Sequence, residues 1–195
     1  MAPDGRILLL DVDGVLVTPP DWYGLRLRRE SPEAAEVFFA GPFLAATQGE
    51  ADLRDHLPAF LDAIGRSGTP EAFLAEWHEY ENHPEPQIWE AVRELRAEGW
   101  PIYLATNQER HRMRHLLQTV GLETLVDGEF ASCSVGHRKP TPEYFAEVAR
   151  RLSTLPERIV FFDDVEENVA AAREAGWAAH LYRDAEGFRC DLAVT

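Results

Sequence analysis

The sequence predicts an α/β domain with a doubly wound parallel sheet and an all-helical insertion after the first strand. Two observations predict the sheet: five short apolar runs recur along the 195 residues, and helical or turn-forming sequence follows four of them. The apolar residues are continuous within each run, which is typical of strands covered on both faces. A third observation predicts the insertion, because residues 18–84 carry helical patterns and no convincing strand.

The predicted strands and the helices between them alternate along the chain. One helix, EPQIWEAVRELRAEG, has apolar residues at helical spacing and ends at Gly99. Another, TPEYFAEVARRL, begins with Thr141 as N-cap and Pro142 at the first helical position. A third, EENVAAAREAG, ends at Gly176. This alternation predicts a doubly wound architecture. The strands are RILLLD at 6–11, PIYLAT at 101–106, EFASCSV at 129–135, RIVFFDD at 158–164 and AAHLYR at 178–183.

The helical insertion is interpreted as a cap. Its helical patterns are SPEAAEVFFAG, LRDHLPAFLDAIG and TPEAFLAEWHEYEN. We predict a core formed by residues 1–17 and 85–195, and a cap formed by residues 18–84. Because ligands of open α/β sheets bind at the carboxyl ends of the strands, the cap is expected to lie over those ends.

The composition indicates an acidic cytoplasmic protein. Nineteen basic against 34 acidic residues give a net charge of −15, which disfavours nucleic acid as a partner, because phosphate contacts dominate that affinity. No run is long enough to span a bilayer, and the first apolar run is too short for a signal peptide. Cys133 and Cys190 are expected to be packing residues in a reducing compartment.

Polar side chains gather where the predicted strands end. Because the carboxyl ends of parallel strands meet at one edge of a sheet, we expect one site. Clustered carboxylates without nearby histidine or cysteine indicate a hard cation, Mg²⁺ first, while lysine and threonine suit a phosphate. Asp11 is then free to be a nucleophile that forms an aspartyl-phosphate. The residues are Asp11 and Asp13 after the first strand, Thr106 and Asn107 after the second, Lys139 before a helix that follows the third, and Asp163 and Asp164 after the fourth.

These motifs resemble those of the haloacid dehalogenase-like (HAD) hydrolase superfamily, whose fold is a Rossmann-like core. DVDGVL at 11–16 is similar to the first motif, Thr106-Asn107 to the second, Lys139-Pro140 to the third and Asp163-Asp164 to the fourth. The insertion is similar to the small helical cap of the subgroup containing phosphoglycolate phosphatases, β-phosphoglucomutases and haloacid dehalogenases. The stretches VGHRKPTPEYF and FFDDVEENVAAAREAG most resemble the amino-terminal phosphatase domain of soluble epoxide hydrolases and bacterial sugar-phosphate phosphatases.

The resemblance implies roles for three charged residues. Asp11 attacks phosphorus and binds Mg²⁺. Asp13 is the general acid and base, and its backbone carbonyl also binds the metal. Lys139 neutralises the phosphoryl group and Asp11. Mg²⁺ and Lys139 are expected to lower the pKa of Asp11.

The resemblance also implies roles for the other matched residues. Thr106 and the backbone of Asn107 hold the transferring phosphoryl group. Asp164 binds the metal directly, Asp163 lies outside the direct ligands, and Asn168 supports the loop of the fourth motif by hydrogen bonds.

The sequence therefore predicts a Mg²⁺-dependent phosphatase that hydrolyses a small phosphorylated metabolite, a sugar phosphate or similar. A haloacid dehalogenase is an alternative, although its chemistry needs neither Mg²⁺ nor an acid at Asp13. A phosphomutase keeps the same acids. A non-catalytic phosphate-binding module is less favoured, because none of the acids or the lysine is lost. No membrane or nucleic-acid partner is expected, and the oligomeric state is not defined.

The cap offers candidates for substrate contact. Aromatic residues of a helical block are more often part of its own core, and its histidines are more often surface or satisfied residues than metal ligands. Solvated positions are expected for RLRR at 26–29 and for Arg110, Arg112 and Arg114. The candidates are Trp22, Tyr23, His56, Trp77, His78, Tyr80 and His83.

Overall fold

A computed structural model describes residues 5–195 and confirms the predicted α/β architecture. The strands within this range are β1 (Ile7–Leu10), β2 (Ile102–Thr106), β3 (Gly128–Ala131), β4 (Ile159–Asp163) and β5 (Ala178–Leu181). They form one parallel sheet in the order β3-β2-β1-β4-β5.

The central strand β1 shows why the apolar runs are continuous. Leu8, Leu9 and Leu10 are all fully buried. Leu8 and Leu10 belong to one core cluster and Leu9 to another. Because successive side chains of a strand point to opposite faces, both faces of the sheet are covered.

The inserted segment, residues 18–84, contains five α-helices and no β-strand. Its helices have a hydrophobic core of their own, which includes Tyr23, Phe38, Leu57 and Trp77. The chain enters and leaves the segment side by side, since the Thr18 amide donates to the His83 carbonyl at 2.9 Å. These contacts support the predicted division into core and cap, which stays a prediction. The helices are α1 (Tyr23–Glu30), α2 (Pro32–Ala40), α3 (Pro42–Thr47), α4 (Leu53–Ala63) and α5 (Pro70–Tyr80).

The remaining helices cover the two faces of the sheet. They are α6 (Pro86–Ala97), α7 (Arg110–His115), α8 (Ser132–Val135), α9 (Pro142–Leu152), α10 (Glu166–Glu174) and α11 (Ala185–Val194). Helices α6, α7 and α11 pack on one face, and α9 and α10 on the other. Thr141 occupies the predicted N-cap of α9, but its hydroxyl donates to the Arg138 carbonyl instead of accepting from the helix. Among residues 5–195, no helix combines the length and apolar character needed to cross a membrane.

The predicted strand EFASCSV is only half correct. The strand ends at Ala131, and α8 begins at the next residue. The Ser132 hydroxyl and the Cys133 amide both donate to the Gln108 carbonyl, at 3.3 Å each, and Gly136 ends the turn at φ +85°. The sequence after Ala131 thus binds the loop that follows β2 instead of extending the sheet.

Candidate active site

The predicted strand-end residues converge at the carboxyl edge of the sheet. Lys139 lies at the centre, with Nζ 3.0 Å from Asp11 Oδ1 and 2.5 Å from Asp163 Oδ2. Lys139 is 3% exposed, Asp11 is 7% exposed and Asp163 is fully buried. Three separate stretches of sequence therefore meet in one buried charge cluster.

The carboxylate of Asp163 is occupied by protein donors. Besides Lys139, the Val165 amide donates to Oδ1 at 2.8 Å. The Asn168 amide group lies 3.0 and 3.1 Å from the two oxygens, so Asn168 supports this loop as expected. Both oxygens already accept from N–H groups, which favours a positioning role for Asp163.

Asp164 has a different environment, because its side chain is exposed and lies against Gly14. Gly14 has φ +78°, and a Cβ atom there would lie 2.0 Å from Asp164 Oδ2. Glycine thus permits both the left-handed turn after β1 and the close approach of the Asp164 carboxylate. Although Asp164 is exposed as a residue, partial desolvation of its carboxyl, then the charge of Asp163, raises the pKa of Asp164.

The carboxylates are arranged to hold a cation. Asp11, Asp163 and Asp164 each offer an oxygen, and these oxygens lie within 4.8 Å of one another. The donors are all oxygen atoms, the set that Mg²⁺ prefers. Glycine at position 14 leaves room for the Asp164 carboxylate in this set, so the residues fit the expected ion.

Two opposing effects set the pKa of Asp11 in the absence of an ion. Burial raises the pKa of Asp11 to about 8, outweighing the opposite effect of Lys139. Burial by itself would lower the pKa of Lys139. The negative charges of Asp11 and Asp163 outweigh burial and raise this pKa above the ordinary lysine value. Lys139 lowers the pKa of Asp11, as expected, but desolvation of the carboxylate is the larger effect.

Asp13 faces the cap. Gln108 Nε2 donates to Asp13 Oδ2 at 2.7 Å, and Arg112 Nη2 lies 3.8 Å from Asp13 Oδ1. Oδ1 is buried and has no hydrogen-bond partner. Burial of the carboxyl raises the pKa of Asp13, and Arg112 opposes this. One acceptor of Asp13 is thus available for another group.

Thr106 is the last residue of β2, and Asn107 directly follows it. Thr106 is 1% exposed. Asn107 binds the third motif, since its Nδ2 donates to the Lys139 carbonyl and its Oδ1 accepts from the Lys139 amide, both at 2.9 Å. The Asn107 side chain therefore holds the backbone of Lys139 in place. Because both of its polar atoms are used in this way, only the backbone of Asn107 is left to bind substrate.

Arg112 corrects one sequence-based expectation. Arg110 and Arg114 are exposed, but Arg112 is only 4% exposed. Its guanidinium donates to the His78 carbonyl at 3.3 Å and the Glu81 carbonyl at 3.4 Å. The expected solvated position is wrong for Arg112, because the end of α5 covers it.

Sequence reasoning also missed Gln108 and Glu81. Gln108 directly follows the second motif, and that position was the available signal. Glu81 is 6% exposed and accepts from the Tyr23 amide at 2.8 Å. Burial raises the pKa of Glu81 although Arg112 opposes this. An acid at the end of a cap helix carries no sequence pattern that separates it from exposed acids.

The cap candidates divide into two groups. Trp22, Trp77 and His78 line a cavity of about 290 Å³ between cap and core. Trp77 and Tyr23 also belong to the cap core, which Tyr80 packs against. Burial, then Arg112, lowers the pKa of His78 to about 3, so this imidazole is neutral. His56 and His83 are exposed and do not line this cavity.

The fold and the convergent motifs define the class of haloacid dehalogenase-like hydrolases. The family model for these hydrolases matches residues 6–176, and the chain belongs to this family, as the resemblance predicted. A phosphorylated carbohydrates phosphatase from Thermotoga maritima is 26% identical over 176 residues, covering 87% of this chain and 81% of that protein. A phosphoglycolate phosphatase from Cereibacter sphaeroides is 29% identical over 197 residues, covering 93% and 86% respectively.

A solved structure has the same fold. It is a HAD family enzyme from Bacteroides thetaiotaomicron, determined as a magnesium complex. It superposes with a TM-score of 0.77 at 21% identity, covering 91% of this chain and 93% of that one.

Proposed function

We propose that this protein is a Mg²⁺-dependent phosphatase that hydrolyses a phosphate monoester of a small metabolite through an aspartyl-phosphate on Asp11. The observation that carries the proposal is the buried cluster of Asp11, Lys139 and Asp163, next to a cavity bordered by Asp13. Two relatives with names of phosphatases, one for phosphorylated carbohydrates and one for phosphoglycolate, support the reaction class.

Asp11, Asp164 and the backbone carbonyl of Asp13 would hold Mg²⁺. When bound, the ion offsets the negative charge of the carboxylates and of the phosphate oxygens. Asp163 is assigned a supporting role, because Lys139, Asn168 and the Val165 amide already use its oxygens.

The first chemical step joins Asp11 to phosphorus. An oxygen of the Asp11 carboxylate forms the new bond to phosphorus while the bond from phosphorus to the alcohol oxygen breaks. Asp13 gives a proton to the departing oxygen. The Lys139 ammonium, 3.0 Å from Asp11 Oδ1, stabilises charge on the transferring group.

The second step regenerates Asp11. Asp13, now ionised, takes a proton from a water molecule that attacks the aspartyl-phosphate. The bond between phosphorus and Asp11 breaks, and inorganic phosphate is released. Gln108 holds the Asp13 carboxyl from one side, at 2.7 Å, through both steps.

Three rival activities use parts of the same site. A dehalogenase would make a carbon ester on Asp11 and would not use Asp13 as acid. A phosphomutase would keep both steps and return the phosphoryl group to its product, so a bisphosphorylated intermediate would reveal it. A non-catalytic module would bind phosphate without release. The assigned partner is a small phosphorylated metabolite in the cytoplasm, without nucleic acid or membrane.

The test is phosphate release from p-nitrophenyl phosphate by the purified chain. We expect turnover with Mg²⁺, loss in EDTA, recovery on addition of Mg²⁺, and little activity with Ca²⁺, whose larger and looser coordination disturbs the geometry. Asp11→Asn should be inactive. Full turnover in EDTA, or full turnover by Asp11→Asn, would show that the proposal is wrong.

A further inference from the structure

The cavity between cap and core borders the proposed phosphoryl site at Asp13 and Asn107. It has a volume of about 290 Å³, and Asp13 and Asn107 form part of its floor. A phosphate ester attacked by Asp11 would place its alcohol part on the Asp13 side, because Asp13 protonates the departing oxygen. The lining of this cavity therefore indicates the chemistry of the alcohol.

The cap contributes an apolar wall to the cavity, beside the polar cap residues Arg28, His78 and Glu81. Leu25 is 49% exposed, whereas Trp77 and Leu74 are 7% and 6% exposed. Trp77 stacks on Phe43, with ring centroids 5.7 Å apart, so the aromatic wall is packed in place. The wall is formed by Trp22, Leu25, Phe39, Phe43, Leu74 and Trp77.

Four polar side chains of the lining already have partners in the protein. Gln108 donates to Asp13, and Asn107 holds the backbone of Lys139. Glu109 accepts from the first amides of α7. Glu81 accepts from the Tyr23 amide. The hydroxyl groups of a polyhydroxylated substrate would therefore find few hydrogen-bond partners in the cavity, and burying them there is costly.

Two buried polar atoms of the described lining have no hydrogen-bond partner: Asp13 Oδ1 and Arg112 Nε. The Asp13 carboxyl, when protonated, can donate a hydrogen bond to the ester oxygen. Arg112 Nε can donate to one further acceptor of the substrate. The described lining offers no unpaired arginine to a second anionic group, because Arg112 Nη2 lies 3.8 Å from Glu81 Oε2 and Arg28 Nη1 lies 2.8 Å from Glu36 Oε2.

We propose that the substrate is the phosphate monoester of a compact, uncharged and largely apolar alcohol, which the aromatic cap wall recognises. The inference rests on the proposed phosphatase function. It keeps a small phosphorylated metabolite as the substrate but departs from the sugar phosphate that the sequence suggested as an example. The reaction consumes one water and gives the free alcohol and inorganic phosphate. Cavities of this size suit small ligands.

A first experiment compares esters with matched leaving groups. Methyl, ethyl, propyl and butyl phosphate should show kcat/KM rising about 3- to 4-fold per methylene, as expected for burial of apolar surface. Propyl phosphate should exceed glycerol 1-phosphate, which has the same carbon chain and two added hydroxyls, by at least about tenfold. A flat alkyl series, or equal or better turnover of glycerol phosphate, would overturn the inference but leave the phosphatase function intact. Failure on every ester, including p-nitrophenyl phosphate, would instead remove the proposed function on which the inference rests.

A second experiment uses two exposed apolar residues of the cap. Leu25→Asn changes the cavity wall, whereas Val37→Asn changes an exposed position of α2 outside this cavity. We expect Leu25→Asn to lower the ratio of kcat/KM for propyl over glycerol phosphate by about threefold or more, since one apolar contact is lost. Val37→Asn should keep the wild-type ratio. An unchanged ratio in Leu25→Asn, or an equal change in both variants, would contradict the assignment.

Discussion

Arg112 Nη2 lies 3.8 Å from Asp13 Oδ1 and 3.8 Å from Glu81 Oε2, so one guanidinium stands between the core and the cap. Asp13 follows β1, whereas Glu81 follows the last cap helix. Arg112 also donates to two backbone carbonyls at the end of that helix. The residue thus ties the position of the cap to the proposed acid and base.

Removal of Arg112 is expected to destabilise the protein. Arg112→Met leaves the buried Glu81 carboxylate without its cation, and breaking a buried pair costs about 3 kcal/mol or more. Arg114→Met, an exposed position on the same helix, should change the free energy of unfolding by less than about 0.5 kcal/mol. Urea denaturation measures both variants. Equal effects of the two substitutions would show that Arg112 makes no special contact.

Arg112 also marks the limit of what the sequence predicts. The apolar runs predicted the strands because burial on both faces leaves a continuous pattern, as in Leu8, Leu9 and Leu10. The motif residues were predictable because strand ends of a parallel sheet must be neighbours. Arg112 has exposed arginines two positions away on either side, and only docking of the cap decides that it is buried.

The cap shows the same limit. Its helical patterns predicted helices but not their packing, so Trp22, Trp77 and Tyr23 were equally good candidates for substrate contact. The structure separates them, since Trp22 and Trp77 line the cavity and Tyr23 does not. The strand EFASCSV failed because Ser132 and Cys133 bind the Gln108 carbonyl, a contact with a distant loop.

Gly14 allows a test of the proposed metal ligand Asp164. Gly14→Ala should strain the turn by about 1–2 kcal/mol and displace the Asp164 carboxylate, since the new Cβ would overlap Oδ2. We expect Mg²⁺ affinity, measured by calorimetry, to fall at least about tenfold. Gly136→Ala is the control, because Gly136 has φ +85° and nothing within 4 Å of an added Cβ. Gly136→Ala should introduce the same backbone strain but keep the wild-type affinity for Mg²⁺. Equal affinities in both variants would contradict the role of Asp164.

A contact between cap and core predicts a pH dependence of stability. Asp52 is the N-cap residue of the cap helix α4. Its Oδ1 atom lies 2.7 Å from Nε2 of His111 on α7. Burial of Asp52 would raise its pKa, but hydrogen bonds from His111 and Arg54 outweigh this and hold the pKa below its ordinary value. A carboxyl with a lowered folded-state pKa stabilises the protein above the unfolded-state pKa of about 4, and this contribution disappears as the pH falls through the folded value.

Asp52→Asn keeps an N-cap acceptor but removes the charge. It should lower the free energy of unfolding at pH 7 by about 1–2 kcal/mol and reduce its loss between about pH 5 and pH 2. Asp55→Asn, an exposed position on the same helix, should retain the wild-type profile. Urea denaturation over this pH range gives the comparison. A wild-type slope in Asp52→Asn would show that the pair with His111 does not contribute.

The two aspartates after β1 should fail in different ways. Asp11→Asn removes the nucleophile and should abolish turnover of every phosphate ester. Asp13→Asn keeps the nucleophile, and its turnover of an alkyl ester should fall about 10²–10⁴-fold, because the alkoxide needs a proton to depart.

With p-nitrophenyl phosphate as substrate of Asp13→Asn, the first step should largely survive, because nitrophenolate leaves unprotonated. Water attack would still lack its base, so a burst of nitrophenolate should precede slow turnover, with phosphate held on Asp11. Stopped-flow absorbance measures the burst, and mass spectrometry of the quenched protein detects the adduct. Equal losses on both esters, without burst or adduct, would refute this division of roles between Asp11 and Asp13.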